Sequence, residues 1–221
     1  MSKSCSPFTA VEGAEGVFAA QSGTLRCSAI RLKSGGLCLY SPVSSLGEEA
    51  HESLARLGEV AVLLAPNHYH NKGVAEYVEA FPAARLCCSA PAKVRLEEIT
   101  GLVFGTLDDL EADMPPDVEV LAPEGLKTGE VWIRVRADGH LVWILADAFS
   151  GPKGAIGSYA DEVLMLRTFP KLGVADKGAY RSWLDKQITA EPPSLIIPCH
   201  GSMVRSPSLV HDMTVLIKSC F

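Results

Sequence analysis

Three places in this chain put metal-ligating side chains directly behind an apolar run. Asn67-His68-Tyr69-His70-Asn71-Lys72-Gly73 follows Val60-Ala-Val-Leu-Leu-Ala65. Asp147 follows Leu141-Val-Trp-Ile-Leu145, and His200 in Ile197-Pro-Cys-His200-Gly201 follows Leu195-Ile-Ile197. A buried strand that ends at the rim of a core delivers its next side chains to a fixed place. Residues two apart in an extended segment share a side, so His68 and His70 are expected to aim both imidazoles at one point. A zinc ion needs that convergence, because nitrogen–zinc distances are ~2.0–2.1 Å. Each feature also has an ordinary reading. His68 and His70 can be surface histidines, Asp147 a cap for Ser150-Gly151, and His200 a hydrogen-bonded turn residue. Yet a carboxylate beside buried apolar residues needs a partner, because burying a lone charge is costly.

The elements that must carry these residues are legible from periodicity. Gly16 to Ala20, Leu25 to Leu32 and Leu37 to Tyr40 are strand-like, with Ser34-Gly35-Gly36 turning between the last two. Ser45-Leu-Gly-Glu48 matches a capping box ahead of Leu46, Ala50, Leu54 and Leu57 at helical spacing, which Gly58 stops. Val60 to Ala65 is a buried strand, Val74 to Phe81 a helix, Ala84 to Cys88 a strand and Ala92 to Ile99 a helix. Val118 to Leu121 is a short strand. Val131 to Val135 and Leu141 to Leu145 form a hairpin around Ala137-Asp-Gly139. Tyr159 to Arg167 and Lys177 to Ile188 follow helical spacing, the second behind Asp176 as N-cap. Leu195 to Ile197 is a late strand and Ser208 to Lys218 a last helix. Gly151-x-x-Gly154-x-x-Gly157 lacks the strand-then-helix setting of a phosphate loop and is expected to be a mobile loop over the cleft, a lid. The whole is expected to be one α/β domain, residues 1–221, with two sheets between helices.

Composition excludes several classes. The 221 residues are 48% hydrophobic and 21% charged, too apolar for a disordered chain. The net charge of −6 and the absence of a basic stripe argue against a nucleic-acid partner. No apolar run approaches the ~18–20 residues of a membrane span. The start, Met1-Ser-Lys-Ser-Cys-Ser-Pro, has no apolar core of signal-peptide length, so a cytoplasmic location is expected. Seven cysteines form no CxxC pair and read as buried thiols, and Cys199 is expected to face away from His200. A homodimer is the base-rate expectation for assembly.

In order and spacing these features resemble the metallo-β-lactamase superfamily, over nearly the whole chain. His68-Tyr-His70 matches the start of its H-x-H-x-D-H signature. The hairpin and Asp147 match its bridging aspartate, and Pro198-Cys-His200-Gly201 its last histidine motif. The resemblance implies an αββα four-layer sandwich with a metal site on one edge. It also marks departures. Lys72 and Gly73 stand where the family has Asp and His, Leu126 stands at the turn histidine within Ala122-Pro-Glu-Gly-Leu-Lys-Thr-Gly-Glu130, and Ser41 replaces an early acidic residue.

Four ligand positions therefore match: His68, His70, Asp147 and His200. The resemblance implies one divalent metal, zinc ahead of iron, with an open position for water. The expected function is hydrolysis of a small ester, thioester or lactone by water activated on that metal. Asp147 would orient the water and accept its proton. Lys72 would pair with Asp147 or stabilise an oxyanion. Restoring a histidine with Leu126→His is expected to raise metal affinity. Two alternatives stand beside this: an inert scaffold or binding protein with no metal, and an iron-dependent oxidoreductase.

Overall fold

The computed structural model describes residues 4–137 and 139–221. Residues 1–3, in the start searched for a signal peptide, and Asp138 of the expected hairpin turn lie outside the described residues.

The first half of the chain builds one mixed sheet from β1 (Thr9–Ala10), β2 (Val17–Ser22), β3 (Leu25–Arg31), β4 (Leu37–Tyr40), β5 (Val60–Leu64) and β6 (Arg85–Cys87), neighbours in that order. β1 to β4 pair antiparallel, and β4, β5 and β6 pair parallel. Parallel neighbours need a crossover, supplied by α1 (Glu48–Leu57) and α2 (Val74–Ala80). After α3 (Ala90–Thr100) and α4 (Asp108–Asp113) come β7 (Val118–Leu121), β8 (Trp132–Ala137), β9 (His140–Leu145), β10 (Tyr159–Ala160), α5 (Phe169–Leu172), α6 (Lys177–Ala190), β11 (Leu195–Pro198), β12 (Met203–Val204) and α7 (Leu209–Cys220). The second sheet runs in the order β10-β12-β11-β9-β8-β7.

Alternation along the strands explains the layers. Cys38, Tyr40, Val62 and Leu64 of the first sheet pack with Ile133, Val135, Val142, Ile144, Leu195 and Ile197 of the second, in one cluster between the sheets. The intervening residues face outward. Leu37, Leu39 and Leu63 meet Ala50 and Leu54 of α1 and Tyr77 of α2. Trp132, Trp143, Leu145 and Ile196 meet Tyr180 and Leu184 of α6 and Met213 and Ile217 of α7. A period of two on strands buried on both faces gives four layers, helix–sheet–sheet–helix. This is the expected α/β sandwich.

Three local expectations are corrected. The Ser45–Glu48 capping box does not form. Ser45 has φ 68, α1 starts behind Gly47, and the Glu76 carboxylate accepts the Ser45 and Leu46 N–H groups at 2.8 and 2.7 Å. Residues 159–167 are not a helix. Tyr159–Ala160 pairs with Met203–Val204, and Ser150 and Leu164 exchange two backbone hydrogen bonds at 2.8 Å, so the backbone groups are spent outside a helix. The glycine segment is anchored at both ends. Gly157 N–H donates to Gln21 Oε1 at 2.8 Å, and Ser202 N–H to the Pro152 carbonyl at 2.9 Å. No described helix is long and apolar enough to cross a membrane.

β5, β9 and β11 all end at one edge. There the sheets are tied together: Tyr40 Oη donates to the Val131 carbonyl at 2.6 Å, and Val131 N–H donates to the Pro66 carbonyl at 2.7 Å.

Candidate metal centre

β5 stops at Pro66, and Asn67, fully buried, builds the next turn. Its Oδ1 accepts the N–H groups of Tyr69 and His70 at 2.8 and 3.2 Å, and the His70 N–H also reaches the Asn67 carbonyl at 3.2 Å. Such a side-chain-closed turn is what asparagine favours. The segment is thus coiled rather than extended, and the two-residue periodicity expected for His68 and His70 does not apply. His70 turns inward. His68 is held by its backbone, through Thr128 O at 3.3 Å and Asn71 Nδ2 at 2.7 Å, and its ring lies edge-on to Tyr69 at 4.4 Å.

Asp147 sits two residues past the end of β9. The N–H groups of Ala146 and Asp147 both donate to Glu130 Oε1 at 3.2 Å, which also accepts from Trp132 Nε1 at 2.8 Å. His200 follows β11 in a turn completed by Gly201 at φ 76. A Cβ at Gly201 would lie 2.0 Å from the Gly151 carbonyl oxygen, so only glycine fits.

These turns bring three ligand-type residues together. His70 Nε2 lies 3.1 Å and His200 Nε2 3.0 Å from the same Asp147 oxygen, Oδ1. One ligand atom from each of the three lies within 4.8 Å of the others. His68 is not part of this group, which revises the expected four-residue set to three. Lys72 is exposed and makes no ion pair among the described residues; the expected Lys72–Asp147 pairing is replaced by His70 and His200. Leu126 packs against the outer core of the second sheet and its backbone pairs with Val174, so the loop does not turn this side chain to the metal cluster.

Two more polar atoms of the cluster have partners. Asp147 Oδ2 accepts from Asn67 Nδ2 at 2.7 Å. Ser41 Oγ lies 2.8 Å from His70 Nδ1. Ser41 holds φ 60 at the end of β4, a conformation that non-glycine residues seldom adopt and that clusters at functional sites. With Nε2 protonated toward Asp147, Nδ1 of a neutral His70 accepts the Ser41 hydroxyl. With Nε2 free for a metal, Nδ1–H donates to the same oxygen. A hydroxyl serves either tautomer.

The electrostatics follow. Burial works to raise the Asp147 carboxyl, but hydrogen bonds from His200 and His70 outweigh it and hold the group below the ordinary carboxylate range. Burial pushes Glu130 up to about 8, with the Asp147 charge adding to it. Glu130 Oε2 is buried without a hydrogen-bond partner among the described residues, which disfavours the charged form. His68 is lowered by burial first and by Arg95 second. Burial also raises the Cys199 thiol, which lies in the core between the sheets rather than beside His200.

Two imidazole nitrogens and a carboxylate oxygen converging with a free side suit zinc or a non-haem iron. Sequence reasoning named all three, although it missed the groups that hold them. Ser41 was marked only as a missing acid, and Asn67 and Glu130 carried no signal beyond their neighbourhood.

No family model matches the sequence, and no curated protein matches it either. Solved structures match in shape. The metallo-β-lactamase DIM-1 exposed to ceftazidime superposes with a TM-score of 0.66 at 11% identity, over 100% of both chains. A putative diflavin flavoprotein A 5 fragment from Nostoc sp. PCC 7120 gives 0.65 at 13% identity, over 97% of this chain and 96% of that one. The metal-soaked Flv1 flavodiiron core from Synechocystis sp. PCC6803 gives 0.62 at 14% identity; it is covered over 99% of this chain, which spans 61% of the Flv1 chain. Identities this low speak for architecture. Two mixed sheets between helices, with ligand-bearing turns on one edge, make this chain a protein of the metallo-β-lactamase fold.

Proposed function

We propose that the chain is a metal-dependent hydrolase with one divalent metal held by His70, Asp147 and His200, acting on a small ester, thioester or lactone. The observation that carries this reading is the meeting of two Nε2 atoms on Asp147 Oδ1 from three separate strand ends. A metal bound there supplies a water whose pKa falls to ~7 and a Lewis-acid centre for a substrate carbonyl. The residues do the rest. Asn67 holds Oδ2 so that Oδ1 faces the imidazoles. Ser41 orients the His70 ring through Nδ1. Asp147, ionised at neutral pH, would hold the metal through Oδ1 and orient the water bound beside it. Lys72, exposed and without an ion pair among the described residues, has no part in this scheme.

The test is metal content of untagged protein purified without chelators. About one metal per chain, lost in His70→Ala/His200→Ala and accompanied by hydrolysis of a chromogenic ester, thioester or lactone, supports the proposal. A chain that takes up neither zinc nor iron is the inert scaffold instead. A second reading, iron redox chemistry, is favoured by the flavodiiron neighbours and the two-histidine–carboxylate set. Iron with a visible absorption band and no hydrolysis would establish it.

A further inference from the structure

Arg26 lies in β3, in the opposite sheet from Asp147 and His200, and is 1% exposed. Among the described residues no carboxylate pairs with it. A buried guanidinium is costly unless its donors are met. Here Nε has no hydrogen-bond partner among the described residues, and the two terminal nitrogens converge on one short segment. Nη1 donates to the Pro198 carbonyl at 2.5 Å and Nη2 to the Gly201 carbonyl at 2.8 Å. The Arg26 backbone N–H donates to the Cys199 carbonyl at 2.8 Å. The remaining carbonyl of the four, that of His200, accepts from Gly151 N–H at 3.2 Å. Gly201 N–H returns a bond to the Thr24 carbonyl at 3.1 Å, and Leu25 bridges His200.

We infer that Arg26 is the positioning residue for His200, its guanidinium and backbone fixing the turn that sets the imidazole against Asp147. The planar fork explains the residue type. Two carbonyls three residues apart are reached by two nitrogens of one rigid group, whereas a lysine offers a single point donor. The turn has no slack of its own, because Gly201 is already in contact with Gly151. The effect passes through the backbone, so Arg26 touches no reacting atom.

The test is made first on metal-free protein labelled with 15N-histidine. In Arg26→Gln the ring signals of His200 shift away from their wild-type positions, and those of His70, which shares Asp147 Oδ1 with it, shift less, while those of His68, outside the cluster, stay. Arg26→Lys recovers part of the His200 shift. Leu184→Ala, in the outer core behind the second sheet, lowers Tm without moving His200. His200 signals at wild-type positions in Arg26→Gln would overturn the inference. If that variant does not fold, unchanged His200 signals in Arg26→Lys overturn it equally. A second arm rests on the single-metal reading: zinc affinity in Arg26→Gln falls about 10–100-fold, the usual worth of a group that orients a ligand. Wild-type protein that binds no metal defeats that reading and leaves the imidazole arm to decide the role of Arg26.

Discussion

Two parts of the site edge are built in opposite ways. On one side, His70, Asp147 and His200 are each fixed by a further group: Ser41, Asn67 with Glu130, and Arg26. On the other, His68, Lys72 and Leu126, which the resemblance set beside the expected centre, lie outside the cluster of three. Lys72 is exposed and Leu126 has joined the outer core. The contrast teaches that the three converging side chains are those that a further polar group holds in place, since a polar group near a core must be satisfied. Lys72 and Leu126 have no such side-chain partner among the described residues and face solvent and apolar packing.

The sharpest way to break this comparison is to remove one histidine at a time. His70→Ala is expected to lower zinc affinity by more than the 10–100-fold that an outer partner is worth, while His68→Ala leaves it within about threefold. Competition titration against a chelator of known affinity measures both. Equal losses would place His68 inside the centre.

Glu130 sharpens the ordered side. Folded, it keeps its proton up to about 8, against an ordinary value of 4.5. The folded state therefore binds this proton more tightly than the unfolded chain. Its contribution is fully present below pH ~4.5 and is lost as pH rises toward 8. Asp147 has the opposite sign: its pairing stabilises above pH ~4 and is lost as pH falls. Denaturant unfolding at pH 5.5 and 8 is expected to show wild-type stability falling on the order of a few kcal/mol. Glu130→Gln keeps an Oε1 for the three N–H groups and should flatten that fall. A variant with the same slope as wild type would mean that Glu130 is ionised in the fold.

The smallest effect is expected on the eroded side. Leu126 faces the outer core, so Leu126→His should leave zinc affinity unchanged rather than raise it, at a modest cost in Tm from a polar ring against apolar neighbours. A clear gain in affinity would show that this loop still swings to the metal.

Much of the frame was legible before the coordinates. Leu37–Tyr40 and Val118–Leu121 match their expected bounds, and the Asp176 cap forms, with Oδ1 accepting from Ala179 N–H at 3.0 Å. These are local signals, set by apolar spacing and turn chemistry over a few residues. The misses were also local in pattern but were decided elsewhere. Residues 159–167 have helical spacing, yet strand pairing to Met203 and Val204 claims their start. Ser45 looks like a cap, yet Glu76 of another helix takes the Ser45 N–H that Glu48 would have accepted, and the Leu46 N–H beside it.

The same division runs through the site. The sequence by itself determined which residues lie at the ends of β5, β9 and β11, because a short unbroken apolar run marks a strand buried on both faces and a polar residue marks where it stops. Whether those residues meet was settled by the tertiary structure alone. An asparagine closed the turn that moved His70 in and His68 aside, and an arginine from the other sheet held the turn of His200. Hydrogen bonds between residues far apart in the chain leave no periodic trace in it, so their effect is visible only once the two sheets are packed face to face.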